Sequence, residues 1–170
     1  MLQKNVIRLI NEQINKEFFS AYLYLEMSNY YHSRNLNGFG NWFKVQAQEE
    51  RDHAMLFLTY LQNNGDKVVL EAIAAPAKKY SDFRAPLADA LDHEKFVTAS
   101  IYAIYEEASL EKDFRTIEFL SWFIKEQGEE EKNTEDLIQK YDLFGTDAKG
   151  LYLLDGELGT RIYSPPSLII

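Results

Sequence analysis

Four long segments of this chain carry apolar residues at helical spacing, and each has a glutamate in the middle of its apolar stripe. These glutamates are Glu17, Glu50, Glu94 and Glu130. The residues seven positions before and seven after each of them are apolar or aromatic. Seven residues make about two turns of an α-helix, so these flanking side chains share a face with the glutamate. The pattern therefore predicts four long helices whose carboxylates point into a common interior.

Carboxylates in such an interior require a positive partner. An unpaired buried carboxylate costs several kcal/mol, and four of them would rival the roughly 5–15 kcal/mol by which a domain is stable. No lysine or arginine shares the stripes near the glutamates, but His53 lies on the same face three residues after Glu50. Carboxylates and one imidazole held between helices are typical ligands of a pair of transition-metal ions. Because the chain has no cysteine, thiolate sites and disulfides are excluded.

The order of the segments favours an all-α fold, a four-helix bundle with one long crossover between helices 2 and 3. Periodicity predicts the helices at about residues 5–33, 41–63, 86–112 and 114–141. Residues 65–84 show no helical stripe, and as extended chain at about 3.3 Å per residue they could run the length of a helix. Helices 2 and 3 would then be parallel. We expect residues 1–145 to form the bundle, 146–158 a short fifth helix that packs on it, and 159–170 a C-terminal tail.

Charge and hydropathy limit the partners. The formal net charge of −9 argues against nucleic acid, because phosphate binding needs clustered lysine and arginine. No stretch approaches the eighteen or so apolar residues of a membrane helix. Residues 1–5 include lysine and amide side chains where a secretory signal would have an apolar core. We therefore expect a cytoplasmic protein with neither a nucleic-acid nor a membrane partner.

Several short motifs resemble the ferritins, most closely the non-haem prokaryotic ferritins of the heavy-chain type. They are Asn11-Glu12-Gln13 before Glu17, Ala47-Gln48-Glu49-Glu50 with His53-Ala54, Phe119-Leu120 with Trp122, Glu126-Gln127 with Glu129-Glu130-Glu131, and Gly150-Leu151-Tyr152. The resemblance covers about residues 1–158. It implies iron storage by a ferroxidase, which oxidises ferrous iron with dioxygen and deposits a ferric mineral inside a homo-oligomeric shell of twenty-four subunits.

The resemblance also implies roles for individual residues. One iron would be bound by Glu17, Glu50 and His53. A second would be bound by Glu50, Glu94 and Glu130, with Glu50 as the bridge. A weaker third iron position would use Glu49, Glu126, Glu129 and Glu130. Gln127 would donate a hydrogen bond nearby. Tyr24 matches a tyrosine proposed as an electron donor, although a packed core phenol is the alternative interpretation.

Two positions depart from related families. A second Glu-x-x-His motif, as in bacterioferritins and rubrerythrins, would need histidine where this chain has Asn133. Bacterioferritins carry a haem-binding methionine directly after the bridging glutamate, where this chain has Arg51, so no haem is expected. The alternatives to iron storage are a rubrerythrin-like di-iron peroxidase or oxidase, a non-catalytic helical adaptor and a DNA-binding mini-ferritin.

Overall fold

Five α-helices make up most of the computed structural model, which describes residues 2–170. They are α1 (Lys4–His32), α2 (Asn37–Asn63), α3 (Ala85–Leu110), α4 (Phe114–Phe144) and α5 (Ala148–Leu158). Residues 2–170 contain no β-strand, and no helix among them combines the length and the hydropathy of a membrane-spanning segment. The prediction of an all-α four-helix bundle with a short fifth helix is confirmed.

The apolar residues that flank the four glutamates form two separate cores. One core contains Ile10, Phe57, Ile101 and Phe123. The other contains Tyr24, Phe43, Leu87 and Leu137. All eight side chains are buried, with exposed fractions of at most 3%. The glutamates, midway between these residues along each helix, therefore form a polar layer between two apolar cores.

The same two cores give the direction of each helix. The first core contains residues from the N-terminal halves of α1 and α4 and from the C-terminal halves of α2 and α3. The second core contains residues from the C-terminal halves of α1 and α4 and from the N-terminal halves of α2 and α3. Consequently α2 and α3 are parallel to each other and antiparallel to α1 and α4. The closest pairings are α1 with α2 and α3 with α4.

The crossover between α2 and α3 runs beside α1. Gly65, just after α2, has a φ of +74°, which suits the left-handed turn predicted there. Asn11 then accepts a hydrogen bond from the Val69 amide at 2.7 Å, and Asn15 donates to the Ala72 carbonyl at 3.2 Å. These two hydrogen bonds hold the extended crossover alongside α1 as it spans the bundle.

The start of α2 differs from the sequence prediction, which placed a break through Gly40. The helix begins at Asn37 because Asp155 of α5 caps it: one oxygen of Asp155 accepts from the amides of Gly38 at 2.8 Å and Phe39 at 3.0 Å. Gly38 permits this contact, since a Cβ there would lie 1.6 Å from the Asp155 carbonyl oxygen. The fifth helix is thus fixed to the bundle by the N-terminus of α2.

The residues after α5 contact the face formed by α2 and α4. Tyr163 donates a hydrogen bond to Asp52 of α2, and the indole of Trp122 on α4 donates to Ser167 at 3.0 Å. Leu168 packs against the first apolar core. The segment that was expected to be a tail therefore lies against the bundle.

Candidate metal centre

The four stripe glutamates and His53 are buried together in the middle of the bundle. Each of α1, α2, α3 and α4 contributes one glutamate. Exposed fractions are 1% for Glu17, Glu50 and Glu94, 4% for Glu130 and 2% for His53. The apolar cores on both sides exclude water, so these groups can be satisfied only by one another, by nearby donors or by bound cations.

Glu17, Glu50 and His53 form the first group of ligand atoms. One ligand atom from each lies within 4.8 Å of the others. Among the residues that the structure describes, three buried atoms in this group find no hydrogen-bond partner: Oε2 of Glu17, Oε2 of Glu50 and Nδ1 of His53. A buried polar atom without a partner costs about 1–3 kcal/mol. A divalent cation between these atoms would satisfy all three.

Glu94 is held differently, because both of its oxygens accept hydrogen bonds. Tyr24 donates to Oε1, and the side-chain amide of Gln127 donates to Oε2 at 3.2 Å. Within residues 2–170, Glu94 belongs to no cluster of three ligand atoms at the 4.8 Å spacing of the first group. Its link to the centre is electrostatic. The charge of Glu130 raises the pKa of Glu94, and the charge of Glu94 raises the pKa of Glu50.

Glu130 belongs to a second group of ligand atoms with His53 and Glu126. The amide nitrogen of Gln46 donates to Glu130 at 2.6 Å and to Glu50 at 3.4 Å. Gln46 therefore connects the two groups. No role for Gln46 was predicted from the sequence.

The two remaining residues of the expected third iron position, Glu49 and Glu129, are not members of this group of ligand atoms. Glu49 is 2.5 Å from Arg161, which follows α5. The side chain of Glu129 is 61% exposed and lies 3.6 Å from Lys125 on the same helix. Of the four residues that the resemblance suggested, the structure thus brings Glu126 and Glu130 together with His53, and it does not add Glu49 or Glu129.

Burial and mutual repulsion change the protonation of the centre. Burial, followed by the charge of Glu94, raises the pKa of Glu50 to about 7. Burial, followed by the charge of Glu130, raises the pKa of Glu94 to about 8. Burial and Glu50 also raise the pKa of Glu17. Without metal, protons therefore offset part of the negative charge, and metal binding must displace them.

His53 and Tyr24 respond to the same carboxylates. Burial lowers the pKa of His53, but the nearby carboxylate of Glu50, whose Oε2 lies 3.7 Å from Nδ1, outweighs it and raises the value to about 10. Burial and the charge of Glu94 raise the pKa of Tyr24 well above its ordinary value. Tyr24 is consequently a neutral phenol that donates a hydrogen bond to Glu94. It also packs in the second apolar core.

Comparisons with known proteins agree with this architecture. The family model of the ferritin-like domain matches residues 7–144. A probable bacterial non-heme ferritin-like protein of Haemophilus influenzae is 38% identical over 159 residues, which are 94% of this chain and 96% of that protein. A bacterial non-heme ferritin of Campylobacter jejuni is 38% identical over 155 residues, which are 91% and 93% of the two chains.

Solved structures give the same result. A closed form of the Archaeoglobus fulgidus ferritin, engineered by mutagenesis, superposes with a TM-score of 0.94 at 40% identity, covering 96% of this chain and 100% of that one. The open pore ferritin of the same organism superposes with a TM-score of 0.93 at 40% identity, covering 95% and 100%. The resemblance drawn from the motifs is confirmed, and the chain belongs to the ferritin family.

Proposed function

We propose that this protein stores iron and that its buried centre is a ferroxidase, which oxidises ferrous iron with dioxygen. The unpartnered atoms of Glu17, Glu50 and His53 are the observation that carries this proposal. Oxygen and imidazole ligands suit iron, and an excess of hard carboxylate oxygens favours the ferric state. Iron is the substrate here, since it enters as the ferrous ion and leaves as the ferric ion.

The two ions of a reacting pair would be held by overlapping sets of ligands. Glu17, Glu50 and His53 would bind the first ion. Glu50, as the bridge, would share the second ion with Glu94 and Glu130. Each ferrous ion would give one electron to the same dioxygen molecule, which is thereby reduced by two electrons to the peroxide level. Holding both ions between the two apolar cores places the two electrons where one oxygen molecule can accept them.

Three neutral side chains would orient the ligands. Gln13 donates to Glu17 at 2.8 Å, and Gln127 and Tyr24 donate to Glu94. None of the three carries a charge that would repel an entering cation. With only one histidine, the centre has few nitrogen ligands, which supports release of ferric ions towards a mineral rather than their retention.

The exchange of Glu50 for alanine tests the ferroxidase. Because Glu50 is the expected bridge, the Glu50→Ala variant should lose the fast phase of ferrous oxidation. Loss of a residue that only orients a metal ligand lowers activity by about tenfold to a hundredfold, so loss of the bridge should lower the rate by at least as much. Stopped-flow absorbance after mixing with aerobic ferrous iron measures this phase. Glu118→Ala, an exposed glutamate of α4, is the matched control and should react at the rate of the unaltered protein. A full-rate Glu50→Ala variant would refute the bridge.

Storage further requires an enclosed volume, and we propose a shell of twenty-four subunits. Large apolar side chains on the isolated chain support self-association: Tyr152 and Leu153 of α5 are 77% and 60% exposed, and Phe114 and Leu143 of α4 are 74% and 72% exposed. The related Archaeoglobus fulgidus protein is described as an open pore ferritin.

Size-exclusion chromatography with light scattering tests the shell after aerobic loading with ferrous iron. We expect roughly 475 kDa of protein, which is 24 times the 19.8 kDa of one chain, with iron eluting in the same peak. A dimer that carries no iron would contradict storage, whereas a dimer with an intact fast oxidation phase would contradict only the shell.

A further inference from the structure

Arg161 lies three residues after the end of α5 and reaches the side of the proposed metal centre. Its guanidinium donates to Glu49 at 2.5 Å and to the side-chain oxygen of Gln46 at 2.9 Å. It also donates to the carbonyl of Trp42 at 3.3 Å and lies 4.5 Å from the centre of the Trp42 ring. The side chains of Arg161 and Glu49 are only 21% and 17% exposed. This is a fixed contact within the fold, unlike an ordinary surface ion pair.

The guanidinium also determines how Gln46 faces the metal ligands. A guanidinium can only donate hydrogen bonds, so the oxygen of Gln46 must point towards Arg161. The amide nitrogen of Gln46 must then point the other way, where it donates to Glu130 and Glu50. Arg161 thereby acts on two ligands of the centre without touching either of them.

Arg161 is paired with one of the residues expected to bind the third iron. Glu49 is the carboxylate that the ferritin resemblance assigns to that position, and here it is paired with a group that stays charged at all physiological pH values. The ligand group that remains, His53 with Glu126 and Glu130, lacks Glu49. A third divalent ion would therefore lose one carboxylate and face a permanent positive charge.

We propose that Arg161 is a built-in cation that competes with a third metal ion for Glu49, so that the centre binds two ions tightly and a third only weakly. The inference rests on the proposed metal centre. The segment that carries Arg161 is tied to α2 and α4 by Tyr163 and Ser167. Because these bonds hold the segment in place, the guanidinium stays beside Glu49 when ferrous ions enter.

Anaerobic isothermal titration of the full-length, metal-free protein with ferrous iron tests the proposal by binding alone. The unaltered protein should bind two ions per subunit, with a third class weak or undetectable. In Arg161→Gln and Arg161→Met, which keep a stem over Trp42, the third class should tighten by about tenfold or more, because a nearby like charge has been removed. Either variant serves if the other fails to fold.

Two further variants separate charge from structure. Arg161→Lys keeps the positive charge and should bind the third ion as weakly as the unaltered protein. Ile162→Ala shortens a neighbouring side chain that is 86% exposed, and it should also leave third-ion affinity unchanged. Equal third-ion affinity in the unaltered protein and Arg161→Gln, or tightening in Arg161→Lys equal to that in Arg161→Gln, would overturn the proposal. If neither the unaltered protein nor any variant binds the first two ions, the assignment of the metal centre itself is wrong.

Discussion

Replacing Glu94 with glutamine should stabilise the metal-free protein, and the gain should grow with pH. Burial and the charge of Glu130 raise the pKa of Glu94 from 4.5 to about 8. The folded state therefore holds this proton more tightly than the unfolded state. Stability that depends on the proton is fully present below the unfolded pKa and is lost as the pH rises through about 8. Glutamine has the same shape and no proton to lose.

The expected gain follows from the size of that pKa difference. One pKa unit corresponds to about 1.4 kcal/mol, so a difference of about 3.5 units gives about 5 kcal/mol at pH 9, about 3 kcal/mol at pH 7 and less than about 1 kcal/mol at pH 5. These are upper values, because side chains relax around a buried charge. In a chain of this size 1 kcal/mol moves the melting temperature by about 2–4 °C. The variant should therefore melt about 10–20 °C higher at pH 9 and within about 3 °C of the unaltered protein at pH 5.

Thermal unfolding followed by circular dichroism measures these shifts after the metal has been removed with a chelator. Glu118→Gln, an exposed exchange of the same chemistry on α4, is the control and should follow the unaltered protein at every pH. All three proteins are compared at one concentration and one oligomer mass, since dissociation also changes the melting temperature. A gain for Glu94→Gln that is the same at pH 5 and pH 9 would refute the assignment of a repelled, buried carboxylate.

Two glycines allow further predictions. A Cβ on Gly128, in the middle of α4, would meet no atom within 4 Å, so Gly128→Ala should gain about 0.5–1 kcal/mol from higher helix propensity; an unchanged or lower melting temperature would contradict this. A Cβ on Gly38 would lie 1.6 Å from the Asp155 carbonyl oxygen, so Gly38→Ala should displace α5, lower the melting temperature and reduce the large species in size-exclusion chromatography. A normal elution profile and an unchanged melting temperature would show that α5 tolerates the shift.

The bundle could be predicted from the sequence because the pattern of apolar residues that specifies it is local to each helix. An apolar residue two turns before and two turns after each glutamate specifies the buried face and also the depth at which the carboxylate lies. Ile10 and Tyr24, on either side of Glu17, ended in different cores for this reason. The topology could be predicted because residues 65–84 are too many for a turn and lack the periodicity of a helix, which leaves an extended crossover between α2 and α3.

Contacts made by the C-terminal residues could not be predicted in the same way. Asp155 caps a helix that begins 118 residues earlier, and Arg161 reaches Glu49 across 112 residues. Nothing in the spacing around either residue identifies its partner, because each contact depends on where α5 docks after the bundle has formed. Residues 159–170 lack helical periodicity, which reveals that they are irregular but not that they lie on α2 and α4.

The amides of the centre carried a signal that could have been used. Gln13 precedes Glu17 by four residues, and Gln46 precedes Glu50 by four, so each pair shares a helix face, and both glutamines are buried. A lysine in either place would also orient the carboxylate, but its charge would neutralise the ligand and repel an incoming cation. An amide holds one oxygen and leaves the charge of the carboxylate available to metal. A glutamine one turn before a buried glutamate is therefore better evidence for a metal site than the glutamate alone, because neutral donors are what a site that must admit cations requires.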